Sequence, residues 1–145
     1  MRFMDNLRPL SLLLLRASLG ISFIYHGYPK LFTNHSATVQ AFVKMGFPSY
    51  FATISGALEF FGGILLIVGL LTRLTAVMLS IEMGIALARV VIPQSGIYVV
   101  AKYELPLALC TAAFALATVG AGVISLDQVT FEGGRTSGKK TKPSK

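Results

Sequence analysis

The chain has 145 residues, 54% hydrophobic and only 13% charged, with a formal net charge of +7. A soluble domain carries about 25% charged residues, so these side chains cannot supply the polar surface of a water-soluble fold. The same apolar content excludes a disordered chain, which leaves one small integral membrane domain.

The positive charge is distributed for a membrane rather than for nucleic acid. Of the 13 Lys and Arg residues, five (Arg135, Lys139, Lys140, Lys142, Lys145) fall in the last eleven positions, and most of the others flank apolar runs. Basic clusters beside apolar spans belong near anionic headgroups. The single cysteine, Cys110, excludes an internal disulfide or a dithiol redox pair and reads as a core residue.

Four apolar runs have the length of a bilayer crossing, about 20 residues at 1.5 Å rise each. The first extends from Leu10 to Tyr28 and stops at Pro29, and the second extends from Ser49 to Leu71 after Pro48. The third covers Leu74 to Ile92 and ends at Pro93, while the fourth covers Leu105 to Ile124 with Pro106 in its first turn. Backbone groups in lipid must be satisfied within their own segment, so each run is a helix. The fold class expected is therefore all-α, a membrane four-helix bundle occupying residues 1–127, followed by a basic tail at 128–145. The tail, GGRTSGKKTKPSK from Gly133 onward, has the composition of a disordered segment. Because Arg16 interrupts the first run, that run reads as a span and not as a cleaved signal peptide.

Orientation follows from the basic residues. One side holds Arg2, Arg8, Arg73 and the five tail residues, eight in all; the other holds Lys30, Lys44 and Lys102. The positive-inside rule then puts both termini in the cytoplasm. The long loop from Pro29 to Pro48 carries Phe32, Val39, Phe42, Val43 and Phe47, a pattern that suits a short amphipathic helix on the membrane surface.

Ionisable residues inside the spans are the functional signal. Arg16, Glu59, Glu82 and Arg89 lie within runs one to three, Glu104 at the start of the fourth, and His26 near the outer end of the first. A charge at a helix centre costs about 2.5–3.5 kcal/mol on insertion scales, so such groups turn inward and find partners. Arg16, Gly20, Phe23 and Gly27 share one helical face; Ser55 or Gly56, Glu59, Gly62 and Gly63 form another; Glu104, Ala108, Thr111, Ala115, Thr118 and Gly122 form a third. Packing these faces together brings Arg16 to Glu59 and Glu82 at mid-depth, with one carboxylate left over to handle a ligand or a proton. The plainer alternative is a set of ion pairs that only fixes helix order. His26 between Tyr25 and Gly27 is either an interfacial anchor or a hydrogen-bond donor to a ligand. No metal-ligand spacing, phosphate loop or nucleophile triad is present.

Several motifs resemble one family. They are Leu15-Arg16 through Gly20, His26-Gly27-Tyr28-Pro29-Lys30-Leu31-Phe32, Glu59-Phe60-Phe61-Gly62-Gly63, Gly69-Leu70-Leu71-Thr72-Arg73 and Tyr103-Glu104-Leu105-Pro106-Leu107. Together, across about Leu7 to Asp127, they resemble the DoxX family of small four-span membrane proteins. The resemblance implies a component of a quinone-linked oxidoreductase in the bacterial cytoplasmic (inner) membrane. A quinone would be its cofactor or substrate, with an oxidoreductase partner or further copies of itself beside it. His26, Arg16, Glu59, Glu82, Arg89 and Glu104 are the candidate ligand and proton groups, with Phe23, Phe60 and Phe61 to stack on a ring. The alternatives are a non-enzymatic membrane subunit with a structural charged core and, last, a small transporter.

Overall fold

The structure is a computed structural model and describes residues 2–95 and 99–132. Among these residues every regular element is helical. Helix α1 spans Arg2–Tyr28 and continues as a π-helical turn over Pro29–Thr33; α2 is His35–Lys44 and α3 is Tyr50–Val68. Helix α4, Thr72–Ala86, continues through a second π turn, Leu87–Val91, into the short α5, Ile92–Ser95; α6 is Val100–Val119. Four helices are long and apolar enough to cross a membrane, over Asn6–Thr33, Tyr50–Val68, Thr72–Gln94 and Val100–Val119. The amphipathic loop helix expected between Pro29 and Pro48 is α2.

The prolines do not end the helices where the sequence suggests. Helix α1 passes through Pro29, because the wider π turn makes room for a ring that would clash with a carbonyl in an α-helix. Its backbone bonding resumes with the Asn34 N–H donating to the Pro29 carbonyl at 2.8 Å. Likewise α4 reaches beyond Ile92, with a π turn immediately before the segment that holds Pro93. In α6 the start is earlier than expected, so Pro106 lies inside the helix and not in its first turn. The same helix stops short of Ile124, at Gly120, whose φ of 92° is one that a side chain disfavours. The sequence-based tail also begins too early, since Gln128–Glu132 forms a further π turn. From Gly133 onward, the expectation of disorder falls outside the described residues.

Two tight helix pairs make the bundle, α1 on α3 and α4 on α6, joined mainly through α3 and α4. The first pair is a glycine contact. A Cβ at Gly20 would sit 2.5 Å from the Gly63 carbonyl oxygen, and one at Gly63 would sit 2.6 Å from that of Gly20. Gly27 is pressed as closely on the backbone of Phe60 and Gly56. With lipid outside there is no hydrophobic gain from helix association, so close backbone approach supplies van der Waals contact instead. In the second pair, Ser80 Oγ donates to the Cys110 carbonyl at 3.0 Å while Cys110 Sγ donates to that of Ser80 at 3.3 Å. Leu19, Phe23, Leu66, Leu79, Met83, Leu109 and Leu116 fill the core. Ile21, Ile64, Leu105 and Phe114 point outward, as lipid-facing residues do.

Candidate functional site: a two-acid, one-base centre beside an apolar cavity

Two ionic centres occupy the interior, and they differ in what satisfies them. The first is Arg16, 1% exposed. Its Nε donates to the Leu66 carbonyl at 3.1 Å and its Nη2 to that of Ile67 at 3.3 Å. Its Nη1 donates to the carbonyls of Ala121 at 2.6 Å and Ile124 at 2.7 Å. The last turn of α3 has carbonyls without intrahelical partners, and the irregular segment after Gly120 has more. One planar guanidinium with five donors answers both, and its charge favours a helix C-terminus. Close by, the Asp127 carboxylate accepts from the N–H groups of Leu71 at 2.7 Å and Thr72 at 2.9 Å, capping the start of α4.

Glu59 and Glu82 belong to the second centre, which Arg16 does not enter. The Glu59 Cβ lies against Gly27, eleven residues beyond Arg16 on α1, which is about 16 Å along a helix axis. The expected contact of Arg16 with the two carboxylates is therefore absent, because helix ends with unpaired carbonyls claim the guanidinium first. Glu59 pairs instead with Lys30, Nζ to Oε2 at 2.8 Å. Lys30 Nζ also donates to Ser55 Oγ at 3.2 Å. Lys30 is the residue that sequence reasoning missed: with Pro29 read as a stop, it fell into the loop. Continued through the π turn, the face Arg16, Gly20, Phe23, Gly27 reaches Lys30 at the same spacing.

Both carboxylate oxygens of Glu82 are buried, with no hydrogen-bond partner among the described residues. Glu82, Lys30 and Ser55 line one side of a cavity of about 410 Å³. The remaining wall is apolar: Phe42 from α2 and Met45 just after it, Phe47, Phe51, Ile54 and Leu58 along α3 and its approach, and Met78, Ile81, Met83 and Ile85 on α4. The stacking partners expected from sequence lie elsewhere. Phe23 is fully buried in the core, while Phe60 packs with Phe32, Phe61 and Tyr28 in a separate aromatic group.

Other sequence candidates stay apart from this centre. His26 meets Tyr25 edge-on, with ring centroids 5.6 Å apart, and borders a shallow depression on α1 with Ile21, Ile24 and Tyr28. Arg89, in the second π turn, and Glu104, on α6, are both exposed. Neither forms an ion pair among the described residues, where Lys30–Glu59 is the one salt bridge. No group of three His, Cys, Asp or Glu that could hold a metal occurs among the described residues.

Arg16, Lys30, Glu59 and Glu82 all lie within residues 11–92, which match the family model described as DoxX. The chain belongs to the DoxX family. A relative from Bacillus subtilis (strain 168), carrying the name "Putative oxidoreductase CatD", is 32% identical over 123 residues, 83% of this chain and 87% of its own length. No solved structure matches the chain. Helix α6, which carries Glu104, lies beyond the residues matched to the DoxX model.

Proposed function

We propose that this DoxX protein is the membrane component of a quinone-linked oxidoreductase in the bacterial cytoplasmic membrane, and that the cavity at Lys30, Glu59 and Glu82 receives the quinone headgroup. The observation that carries this reading is the Glu82 carboxyl, buried without a partner on the wall of an apolar cavity. Leaving such a group unpaired costs about 1–3 kcal/mol or more, which a fold keeps where a ligand completes it. The oxidoreductase name of the Bacillus relative points the same way.

The residues suit a quinone chemically. Cavities of about 300–1,000 Å³ with apolar walls and few polar groups are typical of small-ligand sites. Lys30 has three N–H donors, of which Glu59 and Ser55 engage two; the third is free to meet a ring oxygen. Glu82 is placed to hold or release a proton at a carboxyl oxygen, and Phe42, Phe47 and Phe51 offer faces to a flat ring. When bound, a quinone supplies two-electron redox chemistry. With one cysteine and no dithiol pair, the chain relies on a partner or a soluble substrate for electrons. The excess of basic residues at the end carrying the termini supports a cytoplasmic location for both.

Purification in native lipid followed by solvent extraction tests the reading. The expected result is co-purified quinone near one per chain, reduced about tenfold or more in Glu82→Gln. Wild-type protein that carries no quinone and binds no added short-chain quinone would overturn it. The alternative of a non-enzymatic subunit draws on Arg16, whose hydrogen bonds all go to backbone carbonyls; under that reading Glu82→Gln changes partner co-purification and leaves quinone unaffected.

A further inference from the structure

The cavity also has the construction of a receptor for charged molecules, independently of any quinone. Its polar wall holds one cation, Lys30, one carboxylate, Glu82, and Ser55 as the one neutral polar group, while Glu59, which does not line the cavity, pairs with Lys30. Lys30 is committed to Glu59 at 2.8 Å. That leaves one acid in excess, Glu82, whose two oxygens are buried with no hydrogen-bond partner among the described residues. The nearest imidazole, His35 on α2, has its Nδ1 occupied 3.0 Å from the Lys30 carbonyl oxygen. A buried carboxylate in so apolar a place is neutralised either by a proton or by a positive charge brought from outside.

The aromatic part of the cavity lining suits the second option. Phe42, Phe47 and Phe51 form a continuous file, with successive ring centroids 5.9 and 6.1 Å apart. Ring faces attract cations, most strongly where water is excluded. Met45, Met78 and Met83 add polarizable, deformable surface of the kind found in sites that accept varied shapes.

We propose that this cavity binds lipophilic organic cations, with the positive centre against Glu82 and the apolar body against the phenylalanine file. Charge complementarity selects the ligand: an anion of equal size meets the Glu82 carboxyl and a base already committed to Glu59, and a neutral lipid tail leaves Glu82 unpaired. Each cation that enters a protonated site displaces the proton from Glu82, so charge at the cavity base is conserved.

The test uses the full-length protein in lipid nanodiscs and two ions of nearly the same size and opposite charge, tetraphenylphosphonium and tetraphenylborate. Saturable binding of tetraphenylphosphonium, at least about tenfold tighter than any binding of tetraphenylborate, is the expected result. Glu82→Gln should lose that preference, while Glu104→Gln, which removes an exposed carboxylate outside the cavity, should keep it. If Glu82→Gln fails to fold, the preference of the wild type for one ion over the other still decides. Equal uptake of both ions, uptake that never saturates, or an unchanged preference in Glu82→Gln would each overturn the proposal, the second identifying simple partition into lipid. Retained cation selectivity in a protein that binds no quinone would remove the quinone reading and leave this one standing.

Discussion

Arg16 and Glu82 are charged groups of one small bundle with opposite settings. Arg16 directs its donors at four carbonyls from two segments; Glu82 has two buried oxygens and no hydrogen-bond partner for either among the described residues. The first is a closed centre, since nothing further can bind a guanidinium already surrounded by protein. The second is open, beside a cavity whose one lysine is paired with a different acid, Glu59. An intramembrane charge is thus informative through its satisfaction, not merely through its presence: saturated, it holds the fold; unsaturated, it is the candidate site.

Substitutions can break that contrast, and the largest effect belongs to Arg16. Arg16→Met leaves buried carbonyls at the end of α3 and after Gly120 without donors, so it should lose about 3 kcal/mol or more in reversible unfolding. Arg16→Lys should recover only part of this, because an ammonium cannot span both segments. Next comes Gly63→Leu, which forces α1 from α3 at their closest approach and should cost about 1–3 kcal/mol, read as a lower unfolding temperature. Removing the α4 cap in Asp127→Ala should cost about 1 kcal/mol. The smallest effects are expected at Glu104→Gln and Arg89→Gln, within about 0.5 kcal/mol, since both residues are exposed and unpaired. A large loss at Glu104 would show that the open centre extends to α6 and would redraw the comparison.

The helices, their glycine faces and the amphipathic helix in the first loop were legible because each depends on local periodicity. Arg16 and Glu59 were also legible as inward-facing, since lipid penalises any other placement. Their partners were not. Which acid meets which base depends on relative depth, and depth depends on where helices end. Two local events set it: Pro29 is absorbed by a π turn, carrying Lys30 into the span, and Gly120 ends α6 early, presenting carbonyls to Arg16. A π turn leaves no plain signature in sequence, because it is chosen by the clash it relieves. The cavity was equally hidden, as its wall joins α2, α3 and α4 across the chain.

Ligand-dependent unfolding of wild type and Glu82→Gln, followed side by side as a water-soluble short-chain quinone is added, tests the open centre most directly. A ligand that binds only the folded protein raises its unfolding temperature with concentration. The account calls for such a rise in the wild type and none in Glu82→Gln, whose unfolding temperature without ligand stays near that of the wild type. A curve that is flat in the wild type, an equal rise in both proteins, or a baseline loss in Glu82→Gln as large as that of Arg16→Met would contradict it.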